Sequence, residues 1–264
     1  MLTFPNIDPV IFSIGPLQVR WYGLMYVLGF TATILLVKHQ IKKFGYKELD
    51  VHFDNLNLVL IISMVLGGRL GYVLFYNLPY YLTHPTEVIA TWQGGMSFHG
   101  GMLGLVIGGI IFCKRKGLDF WRAADYYTVT MPIGLGLGRI GNFINGELYG
   151  RVTDVPWGMV FPGGGTEPRH PSQLYESFLE GLVLFIILWI LKEKQSPPSS
   201  WISGSIVGVF LILYGIFRIV VEFFREPDAH LGYIIAGLTM GQLLSSLMVV
   251  VGIAILLLRN KQAA

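Results

Sequence analysis

The stretch L-N-L-V-L-I-I-S-M-V-L-G-G-R-L-G-Y-V-L-F-Y-N-L, Leu56 to Leu78, carries a single charge, Arg69, among aliphatic and aromatic side chains. About twenty apolar residues wound as a helix cross the hydrocarbon of a bilayer. Only a helix or a closed barrel satisfies its own backbone hydrogen bonds there. The run therefore predicts a membrane-spanning helix. Further runs of this kind lie at approximately Val19–Val37, Met96–Cys113, Phe120–Ile140, Leu174–Leu191, Ile202–Phe224 and Ile234–Leu258. The predicted fold class is an all-α integral membrane protein with seven transmembrane helices, one polytopic domain over residues 1–264. Composition agrees. The chain is 53% hydrophobic and 13% charged, with a mean hydropathy of +0.59, too apolar for an ordinary soluble domain.

Orientation follows from lysine. Lys38, Lys42, Lys43 and Lys47 follow the first span, Lys114 and Lys116 the third, Lys192 and Lys194 the fifth, and Lys261 the last. The alternate connections hold none. Positive residues concentrate on the cytoplasmic side, so the C-terminus is expected there, with the N-terminus and the polar loops on the periplasmic side. The net charge of +3 then reflects orientation and not a nucleic-acid-binding face. The first basic residue is Arg20, so a cleavable leader with a charged start is not expected. Trp21, Tyr22, Tyr76, Tyr80, Tyr81, Trp92, Trp121, Tyr126 and Trp201 near span ends read as interfacial belts. Cys113 reads as a small apolar filler, and Ser196 to Ser200 as a short turn.

The outer connections and outer span ends use arginine: Arg20, Arg69, Arg139, Arg151, Arg169, Arg218 and Arg225. Arginine binds phosphate oxygens with a planar fork and stays charged in apolar surroundings. Arg20 reads equally as a snorkelling anchor, Arg69 as a partner for helix-end carbonyls and Arg151 as a loop solubiliser. Arg139 differs. It opens G-R-I-G-N-F-I-N-G-E-L-Y-G, Gly138 to Gly150, with Asn142, Asn145 and Glu147 close behind and glycines that admit close approach. A charge at the edge of a span is costly and marks a candidate site. Arg218 lies four residues after Tyr214 and four before Glu222, so the three share a helix face. That pair is either structural or positions the guanidinium. A further stretch, G-G-M-S-F-H-G-G from Gly94 to Gly101, puts His99 between glycine pairs. It is either a packed histidine or a proton acceptor titrating near neutrality.

These stretches, together with W-Y-G-L-M-Y (Trp21–Tyr26), R-H-P-S-Q-L-Y-E (Arg169–Glu176) and V-E-F-F-R-E-P-D (Val221–Asp228), resemble the prolipoprotein diacylglyceryl transferase family. The resemblance covers essentially the whole chain, with five motifs in order. It implies a multi-pass enzyme of the bacterial inner (cytoplasmic) membrane that needs no cofactor or metal. The implied partners are the lipid bilayer, phosphatidylglycerol, and prolipoprotein signal peptides with a lipobox cysteine. The sn-1,2-diacylglyceryl group would move to that thiol, forming a thioether and releasing glycerol 1-phosphate. Carried over motif by motif, Arg139 and Arg218 are the phosphate ligands and leaving-group stabilisers, and His99 is the base. Tyr22, Asn142, Asn145, Glu147, Gly150, Tyr214 and Glu222 position the headgroup and the arginines. Arg169, His170, Glu176 and Arg225 form an outer rim where headgroups or peptide arrive.

The alternative is a transporter or channel for an anionic solute, with the arginines as its selectivity site. The absence of an internal repeat in the sequence counts against it. An intramembrane serine protease would need a reactive serine, and no G-x-S-x-G elbow occurs.

Overall fold

The computed structural model describes residues 2–5, 7–15, 17–195, 201–226, 233–235 and 237–261. The expected turn at Ser196–Ser200 and the end of the Val221–Asp228 motif lie outside them. Contacts divide the chain into two compact units, residues 41–123 and residues 1–40 with 124–264.

The first of these units is a helix hairpin with an elaborate bend. Helix α1 (Trp21–Phe44) ends in it, followed by α2 (Lys47–Phe75), the short α3 (Leu78–Thr83), two 3₁₀ turns (Pro85–Ile89 and Thr91–Gln93) and α4 (Phe98–Lys116). Antiparallel α2 and α4 approach through small residues. A Cβ at Gly67 would lie 2.8 Å from the Cα of Gly104, and one at Gly71 would lie 2.8 Å from the Cα of Gly100. In lipid, helices associate by such backbone approach, because hydrophobic burial offers them little.

In the larger unit, a hairpin of β1 (Val10–Ile14) and β2 (Leu17–Arg20) leads into α1. Helix α5 (Phe120–Thr128) begins in the 41–123 unit and ends in this one, and α6 (Met131–Ile144) precedes a long loop that ends at α7 (Ser172–Glu176). A π-helical turn, Ser177–Val183, joins α7 to α8 (Leu184–Leu191), and the three form one apolar span, Ser172–Lys194. Helix α9 (Ser205–Glu222), a small hairpin of β3 (Tyr233–Ile235) and β4 (Leu238–Thr239), and α10 (Met240–Lys261) follow. Asp125 anchors the start of α9, accepting from Gly204 N (2.7 Å) and Val207 N (3.0 Å). The apolar core gathers Val129, Leu184, Leu188, Ile206 and Phe210.

Six helices among the described residues are long and apolar enough to cross a membrane, which makes this a mostly helical, multi-pass membrane protein. The seventh expected run, Phe120–Ile140, is broken into α5 and α6 around Thr130. Pro132 sits in the first turn of α6. Without an N–H, and with a ring that clashes with the carbonyl four residues back, it cannot continue the helix of α5. Other boundaries shift for local reasons. Helix α1 runs past Val37 to Phe44 and α2 begins at Lys47, because lysine and glutamate are good helix formers beyond the hydrocarbon. The last span begins at Met240 and not at Ile234, because Tyr233–Ile235 and Leu238–Thr239 pair as strands β3 and β4. Neither hairpin was anticipated from hydropathy.

Candidate active site on a buried glutamate

The motif R-H-P-S-Q-L-Y-E delivers Glu176 to the end of α7, where it is fully buried. Isolated burial of a carboxylate is prohibitive, so it must be paired. Three arginines supply the pairing. Arg139 Nε lies 2.7 Å from Oε2, Arg218 Nη1 lies 2.8 Å from the same oxygen, and Arg225 Nη1 lies 3.6 Å from Oε1. Glu176 therefore stands at the centre of the arginines and not at an outer rim. Arg218 also reaches Glu222 through Nη2 (3.0 Å) and comes within 3.8 Å of Glu180. Three guanidinium groups and three carboxylates thus share one buried network. Arg139 is its most open cation, with 23% of its side chain exposed against 12% for Arg218. Tyr214, one turn before Arg218 on α9, stacks on Phe210.

Arg139 is carried by α6, and the rest of its motif folds back on it. Asn142 and Asn145 both donate to Glu147 Oε1, at 2.8 and 3.1 Å. The loop reverses through Gly146 (φ +67°) and Leu148 (φ +58°), the latter an unusual conformation for a branched residue that surrounding contacts must hold. Those contacts come from the glutamate motif. Gln173 Nε2 donates to the Glu147 carbonyl (2.6 Å), and Ser172 Oγ donates to the Leu148 carbonyl (3.1 Å). Gly150 N donates to the His170 carbonyl at 2.8 Å, and a Cβ at Gly150 would lie 2.8 Å from that of His170. Gly150 is thus a junction between three motifs. Tyr22 lies against Gly141, with its hydroxyl 3.1 Å from that of Tyr26.

Arg169 holds the loop together. It donates to the carbonyls of Gly164 and Gly150, pairs with Glu226 at 2.7 Å, and covers the Tyr149 ring. His170 Nδ1 is 3.1 Å from the Tyr175 hydroxyl, which accepts from Trp157 Nε1 at 2.7 Å. Indole can only donate, so the Tyr175 proton is available to a neutral His170. Burial pushes the His170 imidazole below its ordinary value, with Asp154 opposing the shift.

His99 belongs to the 41–123 unit. It is exposed on the first turn of α4, edge-on to Phe98. Ser97 caps that helix, accepting from Gly100 N at 3.2 Å. The approach to it is fixed by Arg69, which is almost fully buried and donates to the carbonyls of Glu87, Val88, Gly94 and Gly95. Arg69 is therefore a loop clamp. Two residues, Glu180 within the arginine network and Thr239, which donates to Glu222 Oε1 at 2.9 Å, are not singled out by the sequence reading. Glu180 is an acid inside an apolar run, which the cost of an intramembrane charge should have flagged. Thr239 opens a T-x-x-Q helix start legible as a capping box.

The family model for prolipoprotein diacylglyceryl transferase matches residues 9–258. The chain belongs to this family. Curated relatives named phosphatidylglycerol–prolipoprotein diacylglyceryl transferase include a protein of Desulfotalea psychrophila. It is 61% identical over 96% of this chain and 93% of its own length. One of Geobacter sulfurreducens is 52% identical over 98% and 99%, and one of Pseudomonas paraeruginosa 52% over 97% and 95%. Membership in the diacylglyceryl transferase family gives the arginine network a chemical context.

Proposed function

We propose that this chain transfers the sn-1,2-diacylglyceryl group of phosphatidylglycerol to the lipobox cysteine of a prolipoprotein. The observation that carries the reading is the convergence of Arg139, Arg218 and Arg225 on the buried Glu176, in a member of this family. The scissile bond joins a glycerol carbon to a phosphate oxygen. When it breaks, the electron pair stays on that oxygen and the phosphate charge rises by one. Guanidinium forks already fixed by carboxylates stabilise that charge without reorganising. Arg139, the most open, and Arg218 are the proposed ligands. Asn142, Asn145, Glu147 and Tyr22 line the headgroup side.

The incoming thiol must lose its proton, since a free cysteine with a pKa of about 8.5 is mostly protonated near neutrality. His99 is the proposed acceptor. The sulfur then bonds to the glycerol carbon, and the departing phosphate ends as glycerol 1-phosphate once a proton is returned. We place the chain in the inner membrane as one polytopic domain, with α5 and α6 together making a seventh crossing. The N-terminus and the Glu147 loop then face the periplasm. In liposomes of labelled phosphatidylglycerol, the purified protein should lipidate a lipobox peptide and leave its Cys→Ser counterpart unmodified. Flux of an anionic solute without transfer of label would instead establish the transporter reading.

A further inference from the structure

The segment T-M-G-Q, Thr239 to Gln242, opens α10 as a reciprocal cap. Gln242 N donates to Thr239 Oγ1 at 3.2 Å, and Thr239 N donates to Gln242 Oε1 at 3.1 Å, satisfying two of the amides that a helix start leaves orphaned. The cap uses only the acceptor side of the threonine hydroxyl. Its proton goes to Glu222, with Thr239 Oγ1 donating to Oε1 at 2.9 Å. Gly241 closes over the same group. A Cβ there would stand 2.7 Å from the Cδ and both oxygens of the Glu222 carboxylate. Space, not backbone conformation, is what calls for glycine. Glu222 is 4% exposed and Thr239 3%, and the amide end of a helix favours the negative charge it meets. Glu222 in turn grips Arg218 through Nη2 while Glu176 grips Nη1. Two carboxylates on two nitrogens of a planar fork leave it one orientation.

We propose that Thr239 and Gly241 are positioning residues for the transfer reaction: by locking Glu222 they fix the guanidinium plane of Arg218. The proposal rests on the reading of Arg218 as a phosphate ligand. A misplacement of about 1 Å at a reacting group can cost on the order of a hundredfold in rate, so a floating Glu222 has a kinetic signature.

The test compares the full-length protein and its variants in phosphatidylglycerol liposomes, with kcat/KM for a lipobox peptide and the thermal midpoint measured on each. Thr239→Val removes cap and donor together, and should slow transfer by about tenfold, the loss expected for a hydrogen bond to a charged group. Thr239→Ser should recover most of it. Gln242→Ala weakens the cap but keeps the Thr239–Glu222 bond, and should cost less than Thr239→Val at a similar midpoint. Gly241→Ala leaves the cap residues intact and raises helix propensity, so slow transfer without a lowered midpoint supports displacement of Glu222. In a Glu222→Gln background, Thr239→Val should add less than twofold. Losses that track the midpoint across all variants, or an undiminished Thr239→Val effect in that background, would overturn the lock. Arg218→Gln separates the two readings. If it stays active, the phosphate assignment and this proposal fall together; if it is inactive and Thr239→Val is additive, only the lock fails.

Discussion

At the scale of single residues, Arg139 combines the most open guanidinium of the network with a Glu176 contact through Nε alone. Arg139→Ala should lower transfer at least about a hundredfold, the loss typical when one preorganised donor to a developing oxyanion is removed. Arg139→Lys should also fall steeply, because a point charge cannot bind bidentately; near-normal turnover by the lysine variant would mean that charge alone suffices. For His99, the slope of activity with pH is the informative quantity. His99→Gln should lose turnover near neutrality and regain part of it as the pH approaches the thiol's own range, where thiolate forms unaided. A loss that is flat with pH would leave thiol activation to the arginines. His170 carries a stability prediction. Its folded-state value lies below the ordinary 6.5, so its contribution is complete above 6.5 and is lost as the pH falls through the folded value. Between pH 7 and pH 5 the unfolding midpoint of the wild type should drop more than that of His170→Gln. Equal drops would show that His170 titrates as it does in the unfolded chain.

At the scale of elements, the π turn explains how one helix serves both the charged network and the apolar core. Glu176, Glu180, Leu184 and Leu188 are all buried and spaced by four. In a uniform α-helix of 3.6 residues per turn, a four-residue repeat drifts about 40° at every step. A wider turn at Ser177–Val183 turns the repeat back, which keeps acids and leucines on one side. Helix α6 packs directly on that turn. A Cβ at Gly181 would lie 2.6 Å from the Cα of Gly136 and 3.2 Å from its N. Backbone on both sides cannot yield, so Gly181→Ala should cost roughly 1–3 kcal/mol of stability and reduce transfer, because α6 carries Arg139. Gly134→Ala, where an added Cβ meets nothing within 4 Å, should behave like wild type in the same unfolding and transfer measurements. Comparable losses in both variants would point to glycine's backbone freedom and not to the contact.

At the scale of the whole molecule, the proposed topology counts the α5–α6 pair as a crossing and is consistent with the lysine pattern, which places Lys43 in the cytoplasm. Cysteines placed at Thr86 and Thr153 should react with an impermeant thiol reagent in intact spheroplasts, while one at Lys43 should be protected. Labelling at Lys43 with protection of the other two would invert the topology and move the Glu147 loop to the cytoplasm. Labelling at Thr86 alone, with Thr153 protected like Lys43, would mean that α5 and α6 do not cross.

Helical membrane character was written into composition and run length, because hydrocarbon leaves a chain few ways to satisfy its backbone. The same holds for Arg218 and Glu222, whose spacing of four makes them neighbours on any helix. The break at Pro132 was also local chemistry, though a hydropathy window passes over it. The centre of the network was not legible. Glu176 stands in the sequence near the start of the Leu174–Leu191 run, the family resemblance assigns it to an outer rim, and nothing local says that it will be buried against Arg139, Arg218 and Arg225. Those partners come from α6, α9 and the chain beyond α9. The packing of α6 on the π turn, of the Gln173 and Ser172 side chains on the Glu147 loop, and of α9 against α7 brings them to one carboxylate. Thr239 makes the same point. Its capping role is a four-residue pattern, but its bond to Glu222 exists only because α10 starts where α9 ends. Periodicity reports which face of an element is apolar; which charges meet is decided by long-range contacts, and these have no period along the chain.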